Sequence, residues 1–236
     1  MTPIARGDPD GFTTDFLNVL ESNWDSQNPH KIRLDAVVQH WYTNNPHQFL
    51  RKFEGLDTFY KTIGETHNVL KQGENGAVVL PEVWITEWNR TIEQYADTFA
   101  SMPYLMNSFF YMDGLAHGDF QRTDGDDFGI TLAGASYYSA KISLWNKVVD
   151  PQTGEVFNLK NHAGLAWEVY GTTLFGDAKE RLETNGSFFE PQMEGGDANP
   201  IKDFTVMAGR SEQVNRVVIV VSSLQEIGRA SCRERV

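Results

Sequence analysis

The amino-acid sequence predicts an α/β fold, and three observations carry that prediction. Two short apolar runs, LDAVVQ at 34–39 and VWIT at 83–86, suit strands of a parallel sheet buried on both faces. Around them, apolar residues recur at three- and four-residue steps, the period of amphipathic helices. Beyond residue 183 the chain turns to turn-rich stretches and β-type runs, which predicts an appended β domain.

Residues 12–22 (FTTDFLNVLES) carry Phe12, Phe16, Val19 and Leu20 at helical spacing, and the polar NWDSQNPHK that follows reads as a loop. The strand at 34–39 ends in the polar His40 and Tyr42. Phe49, Phe53, Leu56, Tyr60, Ile63, His67 and Leu70 then mark an amphipathic helix, stopped by Gly73 and the Asn75-Gly76 turn signal. The second strand, 83–86, also ends in polar groups, Glu87 and Asn89.

Ile92, Tyr95, Ala96, Phe99 and Met102 form another helical stripe. Pro103 is expected to kink or end it, because proline lacks the amide donor and clashes with the preceding turn. A long acidic, glycine-containing loop is expected next, followed by a third strand at 141–149 (KISLWNKVV) and a turn at 150–154 (DPQTG). Asn161 suits the N-cap of a helix through Trp167, Val169, Tyr170 and Leu174, closed by Gly176. FTVMA at 204–208 and VNRVVIVV at 214–221 read as a hairpin around GRSE.

Composition narrows the function. Of 236 residues 40% are hydrophobic, enough for a sizeable core and too many for a disordered chain. No apolar run approaches the length of a spanning helix, so no membrane partner is expected. Lys and Arg total 20 against 32 Asp and Glu, a net charge of -12, which sets a repulsive field against a phosphate backbone. No nucleic-acid partner is expected; a neutral or sparsely charged substrate fits better. The acidic balance also suits an extracellular or periplasmic setting.

The run at 227–236, IGRASCRERV, resembles the translation of a sequencing adapter and is set aside from the fold; it contains the single cysteine, Cys232. The natural chain is accordingly expected to continue past Glu226 and to begin upstream of Met1, whose neighbours form no signal segment. A (β/α)8 barrel needs eight strands and around 250 residues. With about three strands, residues 1–183 are expected to be the C-terminal portion of such a TIM barrel, and 184–226 the beginning of a β-sandwich-like domain.

In such barrels the reacting groups sit where strands end and loops begin. The expected strand ends carry His40 with Tyr42, Glu87 with Asn89, and Trp145 with Asn146. A carboxylate attacks an anomeric carbon, a tyrosine hydroxyl orients it, and an indole face stacks on a sugar ring. QHWYTN at 39–44 and VWITEWN at 83–89 resemble the sixth- and seventh-strand motifs of clan A retaining glycoside hydrolases, nearest to groups that include arabinofuranosidases, β-xylosidases and agarases.

By that resemblance Glu87 is the nucleophile, and His40 and Tyr42 support it. Trp145 is a sugar-stacking residue after strand eight, and Asn89 lines the rim as a further substrate-binding group. The resemblance implies a carbohydrate substrate, no cofactor and no metal. It also implies an acid/base glutamate at the end of strand four, which would lie upstream of this chain and leave the fragment inactive alone. The alternative is a non-catalytic carbohydrate-binding barrel.

Other clusters carry less. Asp119, Asp124, Asp126 and Asp127 lack the twelve-residue calcium-loop pattern and read as a solvated loop. Met102, Met106 and Met112 read as core filling. The histidine of GETHN at 64–68 has no partner for a metal, and oligomeric state is not legible.

Overall fold

The computed structural model describes residues 5–6, 12–22, 34–66, 70–73, 75–90, 101–138, 144–174, 180–182, 204–211 and 216–223. The fold is mixed α/β. By its internal contacts the chain forms two compact units, the first of residues 1–44, 48–91 and 111–139, the second of 45–47, 92–110 and 140–236.

The described elements of the first unit run β1 (Ala5–Arg6), α1 (Phe12–Ser22), β2 (Ala36–Tyr42), α2 (Gln48–Thr66), β3 (Lys71–Gln72), β4 (Val78–Val79) and β5 (Glu82–Asn89). They continue with the second half of α3 (Ser101–His117) and β6 (Thr131–Tyr137). β1, β2, β5 and β6 form one sheet in chain order, and every neighbouring pair is parallel. β3 and β4 are a small hairpin, turned by Gly76 at a φ of 74°. None of the described helices is long and apolar enough to cross a membrane.

One face of the sheet packs on α2. Trp41 of β2 stacks on Phe49 and meets Phe53 edge-on, while Phe49 also meets Trp88 of β5 edge-on. Phe49, Phe53, Leu56, Tyr60 and Ile63 of α2 are buried, as the helical spacing predicts, and Trp41 and Trp88 are 2% and 1% exposed. Each such ring buried stabilises the fold by about 1.5–3 kcal/mol. The helix stops at Thr66, so Leu70 instead bridges in parallel to Leu34. α1 forms over the expected residues, but Val19 is 57% exposed.

Asp57 of α2 ties that helix to the N-terminal entry of β6. Its side chain is fully buried, and its Oδ1 accepts from the amides of Gly129 (2.7 Å) and Ile130 (3.0 Å). Its Oδ2 pairs with Lys61 Nζ at 2.9 Å and with Arg122. Burial alone pushes this carboxyl upward, but Lys61, the two amides and Arg122 outweigh it and hold the pKa below the ordinary value. Arg122 also clasps Asp124, and Gly125 at a φ of 89° closes the turn between them and Asp126.

α3 runs through Pro103 to His117, and most of the stripe expected to meet that proline, Ile92 to Phe99, lies outside the described residues. One sequence expectation is corrected here. The stretch read as a long loop holds the rest of α3 and then β6, the fourth strand of the parallel sheet. β6 shows no apolar run in the sequence because its middle, Ala133 to Ser136, is built of small residues. Gly134 lies under the Trp84 ring, where a Cβ would come within 2.7 Å of ring carbon.

The segment expected as the third parallel strand belongs to the second unit and is not parallel. There β7 (Trp145–Val149) pairs antiparallel with β8 (Val156–Lys160) across the turn at 150–154. Asp150 Oδ1 accepts from the amides of Gln152 and Thr153, and Gly154 takes a φ of 73°, so the turn itself is as expected. Residues 141–143 lie outside the described residues, as do Ile92, Tyr95, Ala96, Phe99, His67 and Gly176.

Asn161 caps α4 (His162–Glu168) as expected, its Oδ1 accepting from Gly164 N at 2.9 Å, and a π-helical turn, Val169–Leu174, continues it. β9 (Glu180–Leu182), β10 (Phe204–Ser211) and β11 (Arg216–Ser223) form an antiparallel sheet in the order β11-β10-β9, with β10 and β11 the expected antiparallel pair. Phe109 packs on Trp167 and Tyr170, and Asn107 Nδ2 donates to Ser222 Oγ at 3.0 Å.

Candidate functional site

The first unit gathers three of the expected residues at the C-terminal ends of adjacent parallel strands. Tyr42 Oη donates to Glu87 Oε2 at 2.7 Å, and His40 Nδ1 lies 3.1 Å from the same oxygen. That contact is attractive when the imidazole proton sits on Nδ1. The other carboxylate oxygen, Oε1, takes no hydrogen bond among the described residues. The His40 side chain is 16% exposed and that of Glu87 32%, so the carboxylate is held yet reachable.

The backbone explains why these residues meet. In a parallel ladder, paired residues point to the same face and alternate residues share a face. His40 and Tyr42 are alternate residues of β2, on the face opposite to Trp41 and hence away from α2. On β5, Ile85 pairs with Gln39 but Glu87 pairs with His40, so the register slips by one residue at Thr86. The β5–β6 ladder slips over the same stretch, between Ile85 and Trp88. A single extra residue of this kind re-aims the side chains that follow it. It lets Val83 and Ile85 face the core while Glu87 joins His40 and Trp88 returns to α2.

Asn89, expected at the rim, is 4% exposed. Its Nδ2 donates to the Tyr138 carbonyl at 3.3 Å and its Oδ1 accepts from Arg90 N at 2.7 Å, which joins the ends of β5 and β6. Tyr138 is a wall of the site that the sequence reading did not include. Its ring meets Tyr42 edge-on at 6.0 Å and is 40% exposed. Its signal was the pair Tyr137-Tyr138 closing a run of small residues, a strand end like the other two. Trp145 belongs to the second unit, on β7, where it is 42% exposed.

Two carboxylates of the acidic loop are engaged within it. Asp124 is clasped by Arg122, and Asp127 Oδ1 accepts from Gln121 Nε2 at 3.3 Å. Met106 and Met112 are buried in α3. The site can therefore present one carboxylate with one oxygen fixed by a phenol and approached by an imidazole, and with the other oxygen open to an electrophile. Set against known protein families, curated proteins and solved structures, the chain finds no match in any of the three.

Proposed function

We propose that the chain is part of a retaining glycoside hydrolase, with Glu87 as the nucleophile that attacks the anomeric carbon of a carbohydrate substrate. The observation that carries this reading is the convergence of Tyr42 and His40 on a single oxygen of Glu87, which leaves Oε1 for bond formation. The parallel strands in chain order support the finer fold reading, a portion of a (β/α)8 barrel, because consecutive barrel strands are neighbours and reacting groups stand at their C-terminal ends.

In this reading Oε1 of Glu87 bonds to the anomeric carbon as the glycosidic C–O bond breaks, and the leaving oxygen takes a proton from a second carboxyl group. Water then attacks the glycosyl ester and loses its proton to that same group, which frees Glu87. Retaining enzymes keep the two carboxyl groups about 5–5.5 Å apart. The second is assigned by the resemblance to the end of an earlier strand. Tyr42 and His40 position Glu87, and Asn89 positions the ends of the strands that carry it.

An activated leaving group departs without an acid, so the nucleophile is testable on this chain as it stands. A panel of dinitrophenyl 2-deoxy-2-fluoroglycosides is expected to add one fluorosugar per chain, mapped to Glu87 by peptide mass. Glu87→Gln should abolish the adduct and leave the circular dichroism unchanged. An adduct at another residue, or none with any sugar of the panel, overturns the assignment and favours the carbohydrate-binding alternative.

A further inference from the structure

The hairpin of the second unit presents a face that the catalytic reading does not use. Pairing sets Trp145 opposite Lys160, Lys147 opposite Asn158, and Val149 opposite Val156. Paired residues and alternate residues share a face, so these six side chains stand together. The face is open: Trp145, Val149 and Val156 are 42%, 58% and 56% exposed. The base of the hairpin is fixed, because Asn161 N donates to the Leu144 carbonyl at 3.1 Å and Gly164 leaves no room there for a side chain.

We propose that this face is a docking surface for a polysaccharide carrying sparse anionic substituents, which makes a sparsely charged glycan the substrate class of the proposed hydrolase. The inference rests on that reading for its choice of a glycan. The charges supply the rest. In a chain with 32 acidic and 20 basic side chains, the six hairpin residues of this face include two lysines and no carboxylate, and the one acidic group that reaches them is Glu168, which pairs with Lys160. Lys147 is exposed and has no acidic partner among the described residues.

Lys160 stands 5.8 Å from the centre of the Trp145 ring and pairs with Glu168 at 2.6 Å. Both ends of that pair are partly exposed, so it is weak and readily exchanged for a ligand anion. The acidic groups of the hairpin, Asp150 and Glu155, stand beyond the Val149–Val156 pair, at the turn end away from Trp145.

The chemistry suits a charged sugar chain. An indole offers an apolar plate to the C–H face of a pyranose, two ammonium groups meet sulfate or carboxylate substituents, and the Asn158 amide both donates to and accepts from hydroxyls. A nucleic acid also combines charge with rings, but it carries a phosphate on every residue, and that density meets the field of a chain whose net charge is -12, which a sparsely substituted glycan largely avoids.

The test is affinity electrophoresis of the full chain in gels holding a sparsely sulfated galactan or the same galactan after desulfation. Anisotropy with a labelled single-stranded oligonucleotide runs beside it. Retardation by the sulfated galactan, weakened by raised salt, is expected. The double variant Lys147→Gln/Lys160→Gln should weaken it by about tenfold, and Lys147→Arg should not. Trp145→Ala should weaken it as well.

Equal retardation by the desulfated polymer, binding of the oligonucleotide as tight as the glycan, or indifference to both lysines and Trp145 overturns the inference. Fluorosugar labelling of Glu87 is read independently. An adduct without glycan retardation removes this docking face alone, whereas lysine-dependent retardation without an adduct removes the hydrolase reading and with it the substrate class, and leaves the docking face.

Discussion

Tyr42 and Glu87, 45 residues apart in the chain, are joined by a hydrogen bond of 2.7 Å from the phenol to Oε2. A bond of this kind, from a neutral donor to a charged acceptor, contributes about 1.5–3 kcal/mol. If it aims Glu87, Tyr42→Phe should slow fluorosugar labelling by roughly 10- to 150-fold with the fold intact. A time course of intact mass measures this, and an unchanged rate removes Tyr42 from the machinery.

Trp41 stands between His40 and Tyr42 in sequence but faces α2, where it packs on Phe49 and Phe53. Trp41→Ala should therefore cost about 3–5 kcal/mol in urea unfolding, the price of emptying a packed aromatic site. A loss well under 1 kcal/mol would show that the ring is not packed there.

The buried Asp57 should make stability depend on acid. Its native pKa is held below the unfolded value of about 3.9, so its contribution is complete above that pH and is lost as the pH falls through the lower native value. Asp57→Ala should cost about 3–5 kcal/mol at neutral pH, because Lys61 and Arg122 lose the carboxylate between them. Urea midpoints of the two proteins should converge on acidification below pH ~4. A constant gap down to pH ~2 would contradict the ionised pairing.

Gly164 and Gly171 make a paired test of the second unit. A Cβ on Gly164 would run into the Leu144 carbonyl oxygen, whereas one on Gly171 meets nothing within 4 Å. Gly164→Ala should destabilise by about 1–3 kcal/mol. Gly171→Ala should be neutral or slightly stabilising, since alanine favours the helix. Equal melting shifts for the two would show that the approach at Leu144 is not tight.

Much of this was legible from local pattern. The buried stripe of α2, the Asn161 cap, the turn at 150–154 and the β10–β11 hairpin follow from spacing and turn chemistry, which are properties of neighbours in sequence. The fourth parallel strand was not legible, because Ala133, Gly134, Ala135 and Ser136 give no apolar run. Their small size is an adaptation to Trp84, which arrives from another strand. The β7–β8 hairpin had its signal in DPQTG followed by VFNLK, a glycine-containing loop between two β-type runs. Reading KISLWNKVV as a parallel strand overlooked that partner.

The sequence by itself determined which chemical groups stand at the strand ends: a carboxylate, a phenol and an imidazole, each closing a short apolar run. Tertiary structure decided that they share one face. Counted by strict alternation from the buried Val83 and Ile85, Glu87 would point at α2 and Trp88 away from it. The slip at Thr86 reverses that phase, so Trp88 is 1% exposed in the core and Glu87 meets Tyr42. No residue within β5 dictates the slip. It comes from pairing with β2 on one side and β6 on the other, where burying both indoles against α2 leaves one residue to be absorbed.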